Sequence, residues 1–207
     1  MTSERCPVIR LIIFDIGGVI IKFREEQYIG YIARKWHINQ RKLKKELLPL
    51  IAAMEYGKMN ADDAKWMIAD GINLPQDKLE WSKAFRKIAK LDKEVFELVK
   101  RLSKGHRLVL LSDVSESRYK EVQAMGLRRL RVRRFLSYKM GLRKQDLNPR
   151  RRPFRYMLRV MRVRPEAALF VDDRPLNIAH AEEAGINCIR FRNYAQLVKD
   201  LKRYGIE

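Results

Sequence analysis

The chain has 207 residues, 46% of them apolar, and carries 45 Lys and Arg against 25 Asp and Glu, a net charge of +20. That length suits one buried core, or one core with a small appended unit, and the apolar content excludes wholesale disorder. No apolar run approaches the roughly 20 residues of a membrane helix, the N-terminal residues lack a signal-peptide stretch, and Cys6 and Cys188 have neither disulfide-framework nor metal-ligand spacing, so no membrane partner and a cytoplasmic location are expected.

The first apolar run, Leu11-Ile12-Ile13-Phe14, leads into Asp15-Ile16-Gly17-Gly18-Val19-Ile20. Apolar residues, a carboxylate and two glycines read as a buried strand ending in a tight turn, and ligands of open α/β sheets bind at such strand ends. An isolated Asp-x-Gly-Gly more often caps the next element, so the reading depends on what lies elsewhere. Residues 24–89 show helical patterns at 25–36, 40–53, 61–69 and 76–89 and no convincing strand. Asn60 with Asp63 makes an N-cap box, and Gly71 a stop. A helical insertion directly after Asp15 would sit over the carboxyl edge of the sheet as a lid.

Beyond it, strand-like runs at 107–112, 168–171 and 187–191, with a weaker one at 134–138, join that at 8–14. Each leads to a helical pattern. In the helix at 93–104, capped by Asp92 and ended by Gly105, Val95, Phe96, Leu98, Val99 and Leu102 share a face. Helices at 115–125, 153–161, 176–184 and 194–204 follow. This alternation argues for a parallel sheet wrapped by helices.

Further polar groups fall at strand ends. Ser112-Asp113 follows Leu108-Val109-Leu110-Leu111, Arg143-Lys144 follows the weaker strand, and Asp172-Asp173 follows Leu169-Phe170-Val171. Taken alone, Ser112 reads as a helix N-cap and Lys144 as a surface lysine. Two adjacent buried carboxylates are costly unless a cation neutralises them.

This set and order resemble the haloacid dehalogenase (HAD) superfamily of aspartate-nucleophile phosphotransferases, over nearly the whole chain. The stretches Ser137-Tyr138-Lys139-Met140-Gly141-Leu142-Arg143-Lys144 and Leu169-Phe170-Val171-Asp172-Asp173-Arg174-Pro175-Leu176-Asn177 follow the family's third and fourth motifs. Asp-x-Gly-Gly-Val resembles the branch of bacterial α-glucose-1-phosphate phosphatases and the phosphatase domain of soluble epoxide hydrolases. The resemblance implies an α/β, Rossmann-like three-layer sandwich with a mainly parallel sheet. Residues 1–23 and 90–207 would form the core domain and residues 24–89 a helical cap of the C1 type.

The implied activity is Mg²⁺-dependent hydrolysis of a small phosphomonoester, such as a sugar phosphate, with Asp15 as nucleophile. Asp15, the carbonyl of Gly17, and Asp172 would hold the metal, and Asp173 would orient a metal-bound water. Ser112, Asp113, Gly17, Gly18 and Lys144 would bind phosphate, and Lys144 would also neutralise charge during transfer. A metal-free dehalogenase fits poorly with Asp172-Asp173.

Gly17 departs from the family, whose phosphatases usually carry there the aspartate that protonates the leaving oxygen. Its loss typically costs about 10²–10⁴ in rate. The enzyme is then slow, recruits another acid, or prefers leaving groups that need little protonation, such as an anomeric hydroxyl. Asp113 replaces the usual Asn and needs a nearby cation. The residues after Lys144, from Gln145 to Arg152, depart as well. His37, His106 and His180 match no role, and Tyr28, Tyr31, Trp36, Met54 and Tyr56 read as lid core.

Residues 127–164 contain 13 Arg and 2 Lys against Asp146 alone, so 15 minus 1 gives +14 in this segment. Such a patch can attract polyanions. The arginines show no aromatic interleaving of the base-stacking kind, so a solvated basic surface is the favoured reading over a nucleic-acid partner. A catalytically impaired scaffold binding a phosphorylated ligand is the main alternative to the phosphatase; oligomeric state is open.

Overall fold

The computed structural model describes residues 8–73, 80–145 and 153–207. Its strands, in chain order, are β1 (Leu11–Phe14), β2 (Ile21–Lys22), β3 (Lys90–Leu91), β4 (Leu108–Ser112), β5 (Arg133–Leu136), β6 (Ala168–Asp172) and β7 (Asn187–Arg190). Five of them form one sheet in the order β5-β4-β1-β6-β7, with every neighbouring pair parallel. The expected α/β architecture is the one found.

Both faces of this sheet are covered, which is why β1, β4 and β6 read as continuous apolar runs. Ile12, Phe14, Leu110, Leu169 and Val171 join one core. Leu11, Ile13, Val109, Leu111 and Phe170 join the other, with Phe154 and Met157 from the helix that follows the second undescribed gap. From β1 the chain fills one side of the sheet with β4 and β5, then crosses to β6 and β7. The reversal places a crevice at the carboxyl end of β1, between its two neighbours.

Between β2 and β3 come α1 (Glu25–Lys35), α2 (Gln40–Glu55), α3 (Ala61–Ile72) and α4 (Trp81–Ile88). The rest are α5 (Lys93–Gly105), α6 (Glu116–Ala124), α7 (Ser137–Met140), α8 (Pro153–Met161), α9 (Pro175–Glu182) and α10 (Tyr194–Lys202). Asn60 accepts from the backbone amides of Asp62 and Asp63, so it caps α3 as anticipated, and its side-chain amide donates to the Asp63 carboxylate at 2.8 Å. Asp92 likewise caps α5 through the Val95 amide.

The structure corrects several boundaries. α3 runs past Gly71 to Ile72 and stops where Asn73 turns left-handed, at φ 55°. The segment around residues 24–89 is flanked by the antiparallel pair β2–β3, whose two-residue strands are too short to show a period. The weaker strand ends at Leu136, because Ser137 starts a helical turn. There the Ser137 hydroxyl exchanges hydrogen bonds with the Val114 backbone at 2.9 and 3.2 Å. Of the helix expected at 76–89, residues 76–79 lie outside the described residues, as do Cys6 and residues 146–152 of the arginine-rich segment. Among the described residues, no helix is long and apolar enough to cross a membrane.

Candidate active site

Parallel pairing of β1 with β6 brings Asp15 and Asp172 to the same edge, and the Asp15 amide donates to the Val171 carbonyl at 2.9 Å. The chain then folds tightly: Ile20 and Ile21 both donate to the Ile16 carbonyl, and Gly18 donates to Ile21. Gly18 suits this turn by its backbone and by the side chain it faces. Its φ is +81°, and a Cβ there would lie 2.3 Å from the Asp173 carboxyl carbon. The turn therefore presses against the second carboxylate of the Asp172-Asp173 pair. At Gly17, by contrast, an added Cβ would meet nothing within 4 Å.

Lys144 is the hinge of the site. Its Nζ lies 2.7 Å from Asp15 Oδ2 and 2.6 Å from Asp172 Oδ2, and all three residues are at most 5% exposed. The surface-lysine reading thus fails: ion pairing to two buried acids draws this lysine inside. Asp113 fixes its backbone, accepting from the Lys144 amide at 2.9 and 3.1 Å. Burial still raises the Asp113 carboxyl, but the charges of Lys144 and Arg143 and this contact oppose the shift, and the contact turns the carboxylate to positioning. His180, which had no role in sequence, lies with Nδ1 2.9 Å from the Lys144 carbonyl. Asn177 donates to both oxygens of Asp172 at 3.1 and 2.9 Å, and the Arg174 amide donates to Oδ1 at 2.8 Å. Ser112 is the buried last residue of β4, and the N-cap of α6 is instead Ser115.

The electrostatics favour a cation. Burial pushes the Asp15 carboxyl well above its usual range, with Asp172 and Asp173 adding to the effect and Lys144 opposing it. Asp173 is also raised, by burial and by Asp172. Burial opposes the charge on Lys144, but Asp15, Asp172 and Asp113 outweigh it and hold the ammonium protonated. Oxygens of Asp15, Asp172 and Asp173 all lie within 4.8 Å of one another. Fully ionised, the three carboxylates against one ammonium would leave two negative charges, which a single divalent ion would balance. An all-oxygen donor set suits a hard ion such as Mg²⁺. The residues present fit that group.

Asp15, Gly17, Ser112, Asp113, Lys144 and Asp173 line one cavity of about 560 Å³, within the size range of small-molecule sites. From α1 and α2 come Glu25 and Glu55. Glu55 was not singled out in sequence, since periodicity does not tell which helical face looks inward. The adjoining apolar part of the space is lined by Tyr28 and Met54, so these two serve both packing and cavity wall. Arg118 from α6 lies 4.3–5.0 Å from the ring centroids of Phe23, Tyr28 and Phe85. His37, His106, Tyr31 and Trp36 do not line this cavity.

Residues 9–185 match the family model of haloacid dehalogenase-like hydrolases. The chain belongs to this family. Among its relatives, a D-ribitol-5-phosphate phosphatase from Bacteroides thetaiotaomicron is 25% identical, over 94% of this chain and 97% of that one. The fold is similar to that of a HAD family enzyme from the same organism, solved with magnesium and inorganic phosphate. There the TM-score is 0.75 at 18% identity, covering 91% of this chain and 98% of that one. A HAD-like hydrolase from Porphyromonas gingivalis superposes with a TM-score of 0.74 at 24% identity, over 95% and 98% of the two chains.

Proposed function

We propose that this HAD-like hydrolase is a Mg²⁺-dependent phosphatase that cleaves a small phosphomonoester through an aspartyl-phosphate on Asp15. The observation that carries this reading is the Asp15–Lys144–Asp172 bridge at 2.7 and 2.6 Å, at the floor of a cavity that also holds Asp173. Asp15 attacks phosphorus and is then released by water, so one hard hydrolysis becomes two easier steps. Lys144 opposes the burial that raises the Asp15 carboxyl, and it offsets the repulsion between nucleophile and phosphate. Ser112 and the backbone amides after Asp15 hold non-bridging oxygens, and Asp113 acts by positioning Lys144. Asp15, the Gly17 carbonyl, Asp172 and Asp173 would hold Mg²⁺, which supplies charge neutralisation and polarises the phosphoryl group. Residues 24–89 serve as the cap that closes over the leaving group.

A sugar or polyol phosphate is the favoured substrate class. The similar phosphatase from B. thetaiotaomicron is named for a polyol phosphate, and the cavity here combines rings with charged donors and acceptors. Full catalytic competence is favoured over an impaired scaffold because Asp15 and Lys144 are both present and paired. Release of p-nitrophenol from its phosphate ester, with and without Mg²⁺, tests the reading. It expects turnover that requires Mg²⁺ and vanishes in Asp15→Asn; turnover unaffected by that change would contradict it.

A further inference from the structure

A phosphatase of this kind must protonate an alcohol leaving group, and Gly17 has no side chain with which to do so. A Cβ at Gly17 would meet nothing within 4 Å, and Gly17 lines cavities that cap carboxyls also line. Two adjoining cavities share Gly17, Phe23, Glu25, Glu55, Ser112 and Asp113. Of the two cap acids, Glu25 lies in the first turn of α1, whereas Glu55 is the last residue of α2 and is held firmly.

Two features fix the end of α2, and an ion pair reaches Glu55 itself. Gly57 donates to the Met54 carbonyl at 3.0 Å and Lys58 to Ala53 at 2.9 Å, the double hydrogen bond of a Schellman turn. Gly57 has φ +68°, and a Cβ there would lie 2.3 Å from the Tyr138 carbonyl oxygen, so the turn docks closely on α7. Glu55 Oε2 is 2.9 Å from Arg143 Nε, one residue before Lys144. A glutamate at a helix C-terminus opposes the helix dipole, which favours cations there. Its placement follows no local helix preference and brings a carboxyl to the cavity that Asp15 and Lys144 also line.

We propose that Glu55 is the acid–base residue of this site, standing in for the side chain that Gly17 lacks. The assignment rests on the phosphatase reading above. As an Asp15 oxygen bonds to phosphorus, the bond to the leaving oxygen breaks and its electron pair takes the Glu55 proton. Water then attacks the aspartyl-phosphate, gives its proton to the Glu55 carboxylate, and releases Asp15 and inorganic phosphate. The cycle closes with Glu55 protonated.

The surroundings suit this exchange. Burial raises the Glu55 carboxyl to about 7; Arg143 and Arg118 oppose the shift, while Asp113 and Glu25 add to it. Arg174 also faces this group of acids. An acid near neutral pH can both give and take a proton, and a bound phosphate dianion would raise it further.

The test uses the full chain with Mg²⁺ and two ester classes. p-Nitrophenyl phosphate has a leaving group that needs no proton; D-ribitol 5-phosphate and glycerol 3-phosphate leave as alcohols. In Glu55→Gln the alkyl-to-aryl ratio of kcat/KM should fall about 100-fold or more. The descending limb of the alkyl pH profile, near 7 in the unmodified chain, should disappear. Gly17→Asp in that background should restore the ratio, since a Cβ there meets nothing within 4 Å. On its own, Gly17→Asp should free alkyl turnover from the limb near 7, a readout that survives if Glu55→Gln folds poorly. An unchanged ratio in Glu55→Gln, or a fall that Gly17→Asp does not repair, would overturn the assignment. Absence of Mg²⁺-dependent p-nitrophenyl phosphate turnover by the unmodified chain would instead end the phosphatase reading, and the assignment with it.

Discussion

His180 Nδ1 lies 2.9 Å from the carbonyl oxygen of Lys144, so helix α9 holds the backbone of the residue that ties β1 to β6. With Asp113 on the amide and two carboxylates on Nζ, Lys144 is fixed at every polar atom it has. Replacing His180 by Ala leaves that carbonyl without its partner, in a buried place. We expect a stability loss of about 1–3 kcal/mol and a fall in kcat with little change in KM. Urea denaturation beside steady-state kinetics checks both; a stability loss with unchanged kcat would limit His180 to folding.

Removing the lysine itself has a larger effect. Lys144→Met leaves Asp15 and Asp172 buried together without their cation, a change that typically costs about 3–5 kcal/mol. Mg²⁺ should recover more stability in this variant than in the unmodified chain, because it would then be the remaining neutralising charge. Melting temperatures across a Mg²⁺ titration give the comparison, and equal shifts in both proteins would contradict the shared electrostatic role.

Gly18→Ala meets Asp173 at 2.3 Å and starts from φ +81°. Backbone strain of this sort costs on the order of 1–3 kcal/mol, and the clash displaces Asp173 as well. The expected result is weaker Mg²⁺ activation, read as a higher half-saturating concentration. Gly17→Ala serves as the comparison, since it has neither the strain nor the clash, and equal effects of the two would argue against the close Gly18–Asp173 approach.

Glu55 makes stability depend on pH in a defined window. Its folded-state value of about 7 lies above the ordinary 4.5, so the unfolded chain loses this proton first as pH rises. Stability from this group is fully present below 4.5 and declines up to about 7, by roughly 3 kcal/mol at most. Glu55→Gln cannot ionise. Its stability relative to the unmodified chain should therefore climb between pH 4.5 and 7 and level off above, as followed by chemical denaturation at several pH values. A pH-independent difference would mean that Glu55 ionises as freely as in water.

The sheet and the residues it gathers were legible for a physical reason. A strand buried on both faces is apolar along its length, so the first polar group, just after β1 at Asp15 and at the last residue of β4 and β6 at Ser112 and Asp172, marks the strand end. Lys144 was legible through its motif but not through its surroundings, since nothing local says that a lysine will be buried. The strands β2 and β3 were invisible because two residues hold no period. His180 and Glu55 were missed for a shared reason. Each acts from a helix, across the chain from its partner, and helical spacing fixes neighbours on one face without saying what that face meets. A glutamate closing α2 just before Gly57 was the available signal, a carboxylate at the wrong end of the helix dipole.

The central claim is that Asp15 becomes phosphorylated during turnover. Rapid acid quenching of the chain with Mg²⁺ and p-nitrophenyl phosphate, then mass spectrometry of the peptide spanning Asp15, tests it directly. The account predicts a phosphoryl adduct on Asp15 that builds up within the first turnover and is absent from Asp15→Asn. Sustained turnover with Asp15 unmodified at every quench time would contradict it.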